Sequence, residues 1–180
     1  MAEPEHPNAG PEDDEAQISS ERSEESETVA PVEALSSTTI SILVSAADLA
    51  GKRGNRFVTT DDLFAAMVES EGAVSRLLAD LGMDGHMLMD QLAFVVGRGA
   101  AEKVSDAPAT SPRFDRVVEG ARLEAGRRKA GEVSSLHLLT ALLREKAGVS
   151  SLLLDTPGLG LEPVGAALNR ALREGVSDPS

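Results

Sequence analysis

Residues 111–153 read SPRFDRVVEGARLEAGRRKAGEVSSLHLLTALLREKAGVSSLL, and this stretch decides the fold. Ser111 can cap a helix, and Pro112 fits the first helical position, where a missing N–H costs nothing. Phe114, Val117, Val118, Ala121 and Ala125 follow at helical spacing, and Gly131 stops that helix. Ser134 or Ser135 can cap a second helix whose apolar face is Leu138, Leu139, Ala141, Leu142 and Leu143.

The stretch has a twin upstream. Sliding it back until Ala121 lies on Ala46 also lays Ala125 on Ala50, Gly126 on Gly51 and Arg128 on Arg53. At the same offset Val133 falls on Val58, Leu138 on Leu63, Ala141 on Ala66, and Leu152-Leu153 on Leu77-Leu78, with no gap from Ile42 to Leu78. A long period seen twice indicates one duplicated unit rather than an open-ended array.

Composition narrows the class. The 180-residue chain has no Cys, Trp or Tyr and only four Phe, so disulfides and thiolate metal sites are excluded and the core is aliphatic. Such a core suits packed helices better than a sheet. No apolar run is long enough to cross a bilayer, and the start of the chain has neither the basic flank nor the apolar stretch of a secretory signal. The expected setting is the cytoplasm, with no membrane partner. Of the net charge of −13, residues 1–36 supply eleven acids against Arg22 alone. That tail has too little apolar surface to offset its chain entropy and is expected to be disordered. An acidic chain without a basic stripe argues against a nucleic-acid partner.

The remaining elements follow in order. Ser37-Thr38-Thr39 can cap helix one, with Ile40, Leu43, Val44, Ala47 and Ala50 facing inward. Phe57-Val58 is an extended connector, and Thr59 or Thr60 caps helix two, whose first turn carries Asp61 and Asp62. Helix three holds Val74, Leu77, Leu78 and Leu81. Asp84 caps helix four, with Met87, Leu88, Leu92, Val95 and Val96 inward. A polar linker leads into the second half, where helices five and six, a helix seven from Ala147 and a helix eight over 161–173 repeat the plan. Asp155-Thr156-Pro157-Gly158 lengthens the turn before helix eight. The expectation is an all-α fold of two tandem pseudo-symmetric four-helix repeats. The first repeat spans 37–97, the linker 98–110 and the second repeat 111–174, with an acidic tail over 1–36 and a fraying end over 175–180.

This duplication resembles the Clp N-terminal repeat domain, the module in front of the ATPase rings of ClpA- and ClpC-type unfoldases. The family pattern has an Ala-rich first helix, a connector, then Gly-Thr-Glu-His-Leu-Leu, a short helix and Leu-Gly-Val. Repeat one reads VTTDDLFAAMV and then LGMD; repeat two reads VSSLHLLTALLRE and then LGLE. Ser111-Pro112-Arg113 matches the family's Thr-Pro-Arg opening of the second repeat. The resemblance covers roughly residues 37–173 and implies a non-enzymatic binding module. Its implied partners are a Clp ATPase, an adaptor protein or a degron-bearing substrate, including one marked by phosphoarginine, with a decoy role as one form of regulation. The implied site residues are Val58, Thr59, Thr60, Asp61 and Asp62 in repeat one and Ser134, Ser135 and His137 in repeat two. The family's acidic residue falls at Asp61 and at Leu136. A guanidinium needs a carboxylate partner, so a single phosphoarginine site, around Thr59 to Asp61, is the expectation. The plainer alternative is that Asp61 and Asp62 are ordinary first-turn helix charges and that His137 is structural.

No G-x-x-x-x-G-K-[ST] occurs, so no P-loop holds nucleotide phosphates. No catalytic constellation and no cofactor motif is present, and His86 with Asp84 and Asp90 reads as solvent-facing charge rather than as a metal site. The acidic leader suggests a stand-alone protein rather than a fragment. The runner-up reading is a partner-binding transcription or stress regulator unrelated to proteolysis. A third is a degenerate copy with a purely structural role.

Overall fold

The computed structural model describes residues 29–96, 107–145, 148, 154 and 161–178. Within them lie seven helices: α1 (Ser37–Lys52), α2 (Thr60–Glu69), α3 (Ala73–Asp80), α4 (Gly85–Val96), α5 (Pro112–Arg127), α6 (Ser135–Arg144) and α7 (Leu161–Arg173). Two short strands, β1 (Phe57–Val58) and β2 (Ala109–Thr110), pair in parallel. The helix expected from Ala147, the 156–158 insertion and the linker over 98–106 lie outside the described residues.

Helices α2 and α6 are the centre of the fold. Every residue of α2 from Asp62 to Val68 is buried, as is every residue of α6 from Ser135 to Leu142. A helix apolar on all sides must be covered on all sides. Here α1 and α4 flank α2, α5 and α7 flank α6, and α3 touches both.

The long helices α1 and α5 bury matching positions. Thr39, Ile42, Ala46 and Ala50 face the core on α1; Phe114, Val117, Ala121 and Ala125 do so on α5. Each pair is separated by the offset that carries Ala46 to Ala121, so the duplication holds in three dimensions. The inward face expected for α1 needs correcting: Ile40 is 50% and Val44 64% exposed, while Ile42 is buried. Small Ala46 and Ala50 let α1 approach α2 closely, and that approach sets the rotation of the helix. On α4 only Leu88 and Leu92 are buried, whereas Met87, Val95 and Val96 are exposed. That helix packs one narrow stripe, on α2 and α3.

The caps follow local chemistry. The Thr59 hydroxyl accepts from the Asp62 N–H, and the Asp84 carboxylate accepts from the backbone N–H groups of His86 and Met87. For α1 the cap is Ser36 rather than Ser37 to Thr39, its hydroxyl accepting from the Thr39 N–H at 3.1 Å.

The two halves are stitched by a reciprocal exchange. Val58 of β1 pairs with Thr110, just before α5, and Ser111 donates its N–H to the Val58 carbonyl at 3.0 Å. Leu35, just before α1, bridges Val133 in parallel, and Ser36 donates to the Val133 carbonyl at 3.0 Å. Shifting either set by the repeat offset gives the other with partners swapped: each repeat's connector pairs with the lead-in of the other repeat. The linker expected to end at 110 therefore ends in a strand. The acidic tail drawn to residue 36 is likewise shortened, because residues 29–36 lie against α5 and the connector before α6. Val32 donates to the Arg122 carbonyl at 3.1 Å, and Val133 donates to the Ala34 carbonyl at 2.8 Å. Gly126 permits this approach, since a Cβ there would sit 2.1 Å from the Ala30 carbonyl oxygen.

Candidate functional site

The residues singled out by sequence gather at the starts of α2 and α6, which are equivalent by the repeat. In repeat one, Thr59 is the N-cap and Asp62 closes a reciprocal capping box. Asp62 Oδ2 accepts from the Thr59 N–H at 2.9 Å and from its hydroxyl at 2.8 Å. Oδ1 accepts from Arg53 Nη1 at 2.8 Å. The Asp62 side chain is completely buried. It is part of the scaffold and has no face to offer a ligand. Thr60 is buried as well, and the Val58 carbonyl is taken by Ser111. Thr59 and Asp61 remain partly exposed. Asp61 lies in the first turn of α2, partly exposed as a residue but with its Oδ1 buried.

Repeat two is built differently from equivalent positions. Ser134 is the N-cap of α6, and its N–H donates to His137 Nδ1 at 3.0 Å. The accepting Nδ1 places the proton of the neutral ring on Nε2. Burial, aided by the Arg128 charge and opposed by the Glu124 and Asp178 carboxylates, holds His137 below the ordinary histidine value, so the ring is neutral at pH 7. A neutral acceptor serves the cap but cannot pair with the arginine that follows the first helix. Arg53 in repeat one turns to Asp62. Its equivalent Arg128 turns instead to Glu124, Nε to Oε1 at 2.8 Å, and to Asn169.

Glu124 is, with Asp62, one of two buried acids among the described residues. Arg144 Nη1 reaches its Oε2 at 2.6 Å and Arg127 lies at 3.5 Å. Burial pushes its carboxyl up, but the hydrogen bonds and charges of Arg128 and Arg144 outweigh this and hold it below the ordinary glutamate value. Sequence reading passed over Glu124, although it stands at the i,i+4 spacing of a helix ion pair with Arg128.

Leu136, at the position of the family's acid, is fully buried. It lines a cleft of about 390 Å³ between α3 and α7, shared with Leu77, Arg76 and Arg170. Ser135, the equivalent of Thr60, donates its N–H to Asp178 Oδ2 at 2.7 Å. Asp178 was missed by sequence reading because it was placed in an end expected to fray. The eight candidates therefore fall into two clusters of unlike chemistry: a carboxylate closes the cap of α2, whereas a neutral histidine closes that of α6 and Asp178 sits against Ser135. Among the described residues no group of three or more His, Asp or Glu could hold a metal ion, and no helix is long and apolar enough to cross a membrane.

The profile of the Clp repeat (R) N-terminal domain matches residues 34–156. The chloroplastic chaperone protein ClpC of Pisum sativum is 30% identical over 125 residues, 69% of this chain but 13% of that protein. A homolog of the ATP-binding subunit ClpA from Guillardia theta is 28% identical over 134 residues, 74% of this chain and 16% of that protein. This chain thus spans well under a quarter of the length of these relatives. Among solved structures, the Hsp104 N-terminal domain of Candida albicans superposes with a TM-score of 0.69 at 17% identity, covering 81% of this chain and 95% of that one. The N-terminal domain of ClpD from Arabidopsis thaliana gives 0.63 at 16% identity, covering 78% and 96%. The ClpV N-domain of Vibrio cholerae gives 0.63 at 17% identity, covering 80% and 87%.

Proposed function

We propose, from the premise that this chain belongs to the Clp repeat (R) N-terminal domain family, that it is an accessory binding module of Clp-type proteolysis. It takes up an adaptor or a degron-bearing substrate through the start of α2, and in doing so delivers or sequesters ligands that a Clp ATPase would otherwise receive. The chain itself carries no nucleotide-binding motif, and its matches lie in the N-terminal domain rather than in the ATPase modules of its relatives.

The observation that carries this reading is the asymmetry of the two helix starts. In repeat one the pairing of buried Asp62 with the partly exposed Arg53 fixes the first turn, and Asp61 beside it is partly exposed as a residue. A guanidinium-bearing ligand finds a carboxylate there, and a phosphoryl group finds the amides of a helix N-terminus beside it. In repeat two the corresponding carboxylate is replaced by buried Leu136. One phosphoarginine-type site, formed by Thr59, Thr60 and Asp61, is the specific form of the proposal.

The test is a titration with free phosphoarginine and with an arginine-phosphorylated protein, followed by backbone amide NMR. Shifts clustered at Thr59 to Asp62 and abolished by Asp61→Ala support the site. No shift at millimolar ligand refutes the phosphoarginine form. The broader role is tested separately, by binding to a purified Clp ATPase and its adaptor; absence of binding to both refutes it.

A further inference from the structure

The carboxylate of Asp178 sits among donors from three elements far apart in sequence. Oδ2 accepts from the Ser135 N–H at 2.7 Å and from the Ser36 hydroxyl at 3.1 Å. Oδ1 accepts from the Ala73 N–H at 3.3 Å and from the Ser135 hydroxyl. Ser36 caps α1, Ala73 opens α3 and Ser135 opens α6. Three helix starts therefore converge on one anion, each bringing a positive dipole end or a hydroxyl at that end.

The path of the chain brings the carboxylate there. After α7 the Glu174 N–H donates to Arg170, and Gly175 adopts a left-handed φ of 70°. The Val176 N–H then closes back on the Ala171 carbonyl at 3.0 Å. This turn reverses the chain and sets Val176 at the rim of the cleft that Leu136 lines. Just beyond it, Asp178 reaches the start of α6.

We infer that Asp178 is a built-in ligand and that residues 175–178 form an autoinhibitory strap across the repeat-two helix start. Ser135 is the repeat-two counterpart of Thr60, so the N–H and hydroxyl that Ser135 gives to Asp178 are the counterparts of groups in the site proposed for repeat one. What the strap excludes rests on that reading; the strap itself rests only on the contacts of Asp178. An entrant to repeat two must bring an anionic group of its own, a carboxylate or a phosphate, to replace the one already seated.

The test uses the full chain, its Asp178→Ala and Asp178→Asn variants, and inorganic phosphate as the probe, read by amide NMR. In the unmodified protein Val176 and Asp178 are expected to be as rigid on the nanosecond scale as the helices. In Asp178→Ala they become mobile, the Ser135 and Ala73 amide protons move upfield, and phosphate then shifts those two amides saturably. Its affinity should be at least about tenfold higher than in the unmodified protein, because a tethered competitor at millimolar effective concentration has been removed. Asp178→Asn, which keeps the volume and one acceptor oxygen, gives the same comparison should the alanine variant fail to fold. Equal mobility of the segment with and without the carboxylate overturns the strap. A phosphate response that is the same in both proteins, or absent from both, overturns the occluded site. Phosphoarginine is not used, so failure at Thr59 to Asp61 leaves this result interpretable, and the reverse holds.

Discussion

Gly51 and Gly126 occupy the same position of the duplicated unit, yet alanine should act on them in opposite directions. Gly51 lies in the last turn of α1 with no heavy atom within 4 Å of a Cβ built there. Relief of glycine's conformational entropy in a helix is worth about 0.5–1 kcal/mol, so Gly51→Ala is expected to be neutral or stabilising by up to that amount. At Gly126 the same gain meets an obstacle. The new Cβ would stand 2.1 Å from the Ala30 carbonyl oxygen and 3.2 Å from its carbon. Both are backbone atoms, so no side-chain rotation relieves the overlap, and the segment before α1 must move or detach. Overpacking of this kind costs about 1–3 kcal/mol. Loss of the hydrogen bond from Val32 to Arg122 adds about 1 kcal/mol. Set against the propensity gain, Gly126→Ala should lose about 1–3 kcal/mol overall. Urea denaturation of the two variants, with amide hydrogen exchange at Val32 and Ser36, measures both terms. Exchange at Val32 should quicken in Gly126→Ala alone. If Gly126→Ala is as stable as the unmodified chain and Val32 exchanges at its original rate, residues 29–32 do not pack on α5 and the reasoning fails.

Asp62→Ala should cost about 2–4 kcal/mol: about 1 kcal/mol for the cap, the rest for stranding Arg53, whose 22% exposure keeps the loss below that of a fully buried pair. A double-mutant cycle with Arg53→Met checks this, and a coupling energy near zero would show that the pair does not hold the start of α2. Acid sensitivity should come in two steps. The unfolded state protonates His137 more readily than the folded state does, so stability falls as pH drops below the ordinary value of 6.5 towards the lowered folded value, and His137→Gln should flatten that step in thermal melts. Glu124 likewise contributes stability that is present above its ordinary value of 4.5 and lost as pH falls through its lower folded value; Glu124→Gln should shrink this second step while destabilising the protein at pH 7.

Much of the candidate site was legible because its chemistry is local. Thr59 with Asp62, and Ser134 with His137, stand at the sequence spacing of a capping box, and both boxes form. What spacing could not tell was which carboxylate is spent on the scaffold. Asp61 and Asp62 are adjacent and look interchangeable, but only Asp62 faces Arg53, and that pairing buries it. The inward face of α1 is instructive in the opposite sense. Apolar content favoured Ile40 and Val44, whereas the repeat offset, laying Ala46 on Ala121 and Ala50 on Ala125, already pointed to the stripe through Ile42 that the structure buries. Internal homology carried more information there than hydropathy, because alanines weigh little in a hydrophobic pattern yet govern how closely two helices approach.

The sequence by itself determined the helical class, the duplication and the family, and narrowed the caps of α2 and α6 to two residues each, because each is written in spacings of a few residues or in one repeated offset. Tertiary structure alone decided the reciprocal strand exchange between the repeats, the reach of Arg144 on α6 to Glu124 on α5, and the seat of Asp178. The Asp178 carboxylate joins residues 43, 105 and 142 positions away. Contacts at such separations leave no period in a sequence; they arise only when three helix starts are packed to one point, where a single carboxylate accepts from the amides that open two of them and from the Ser36 hydroxyl that caps the third.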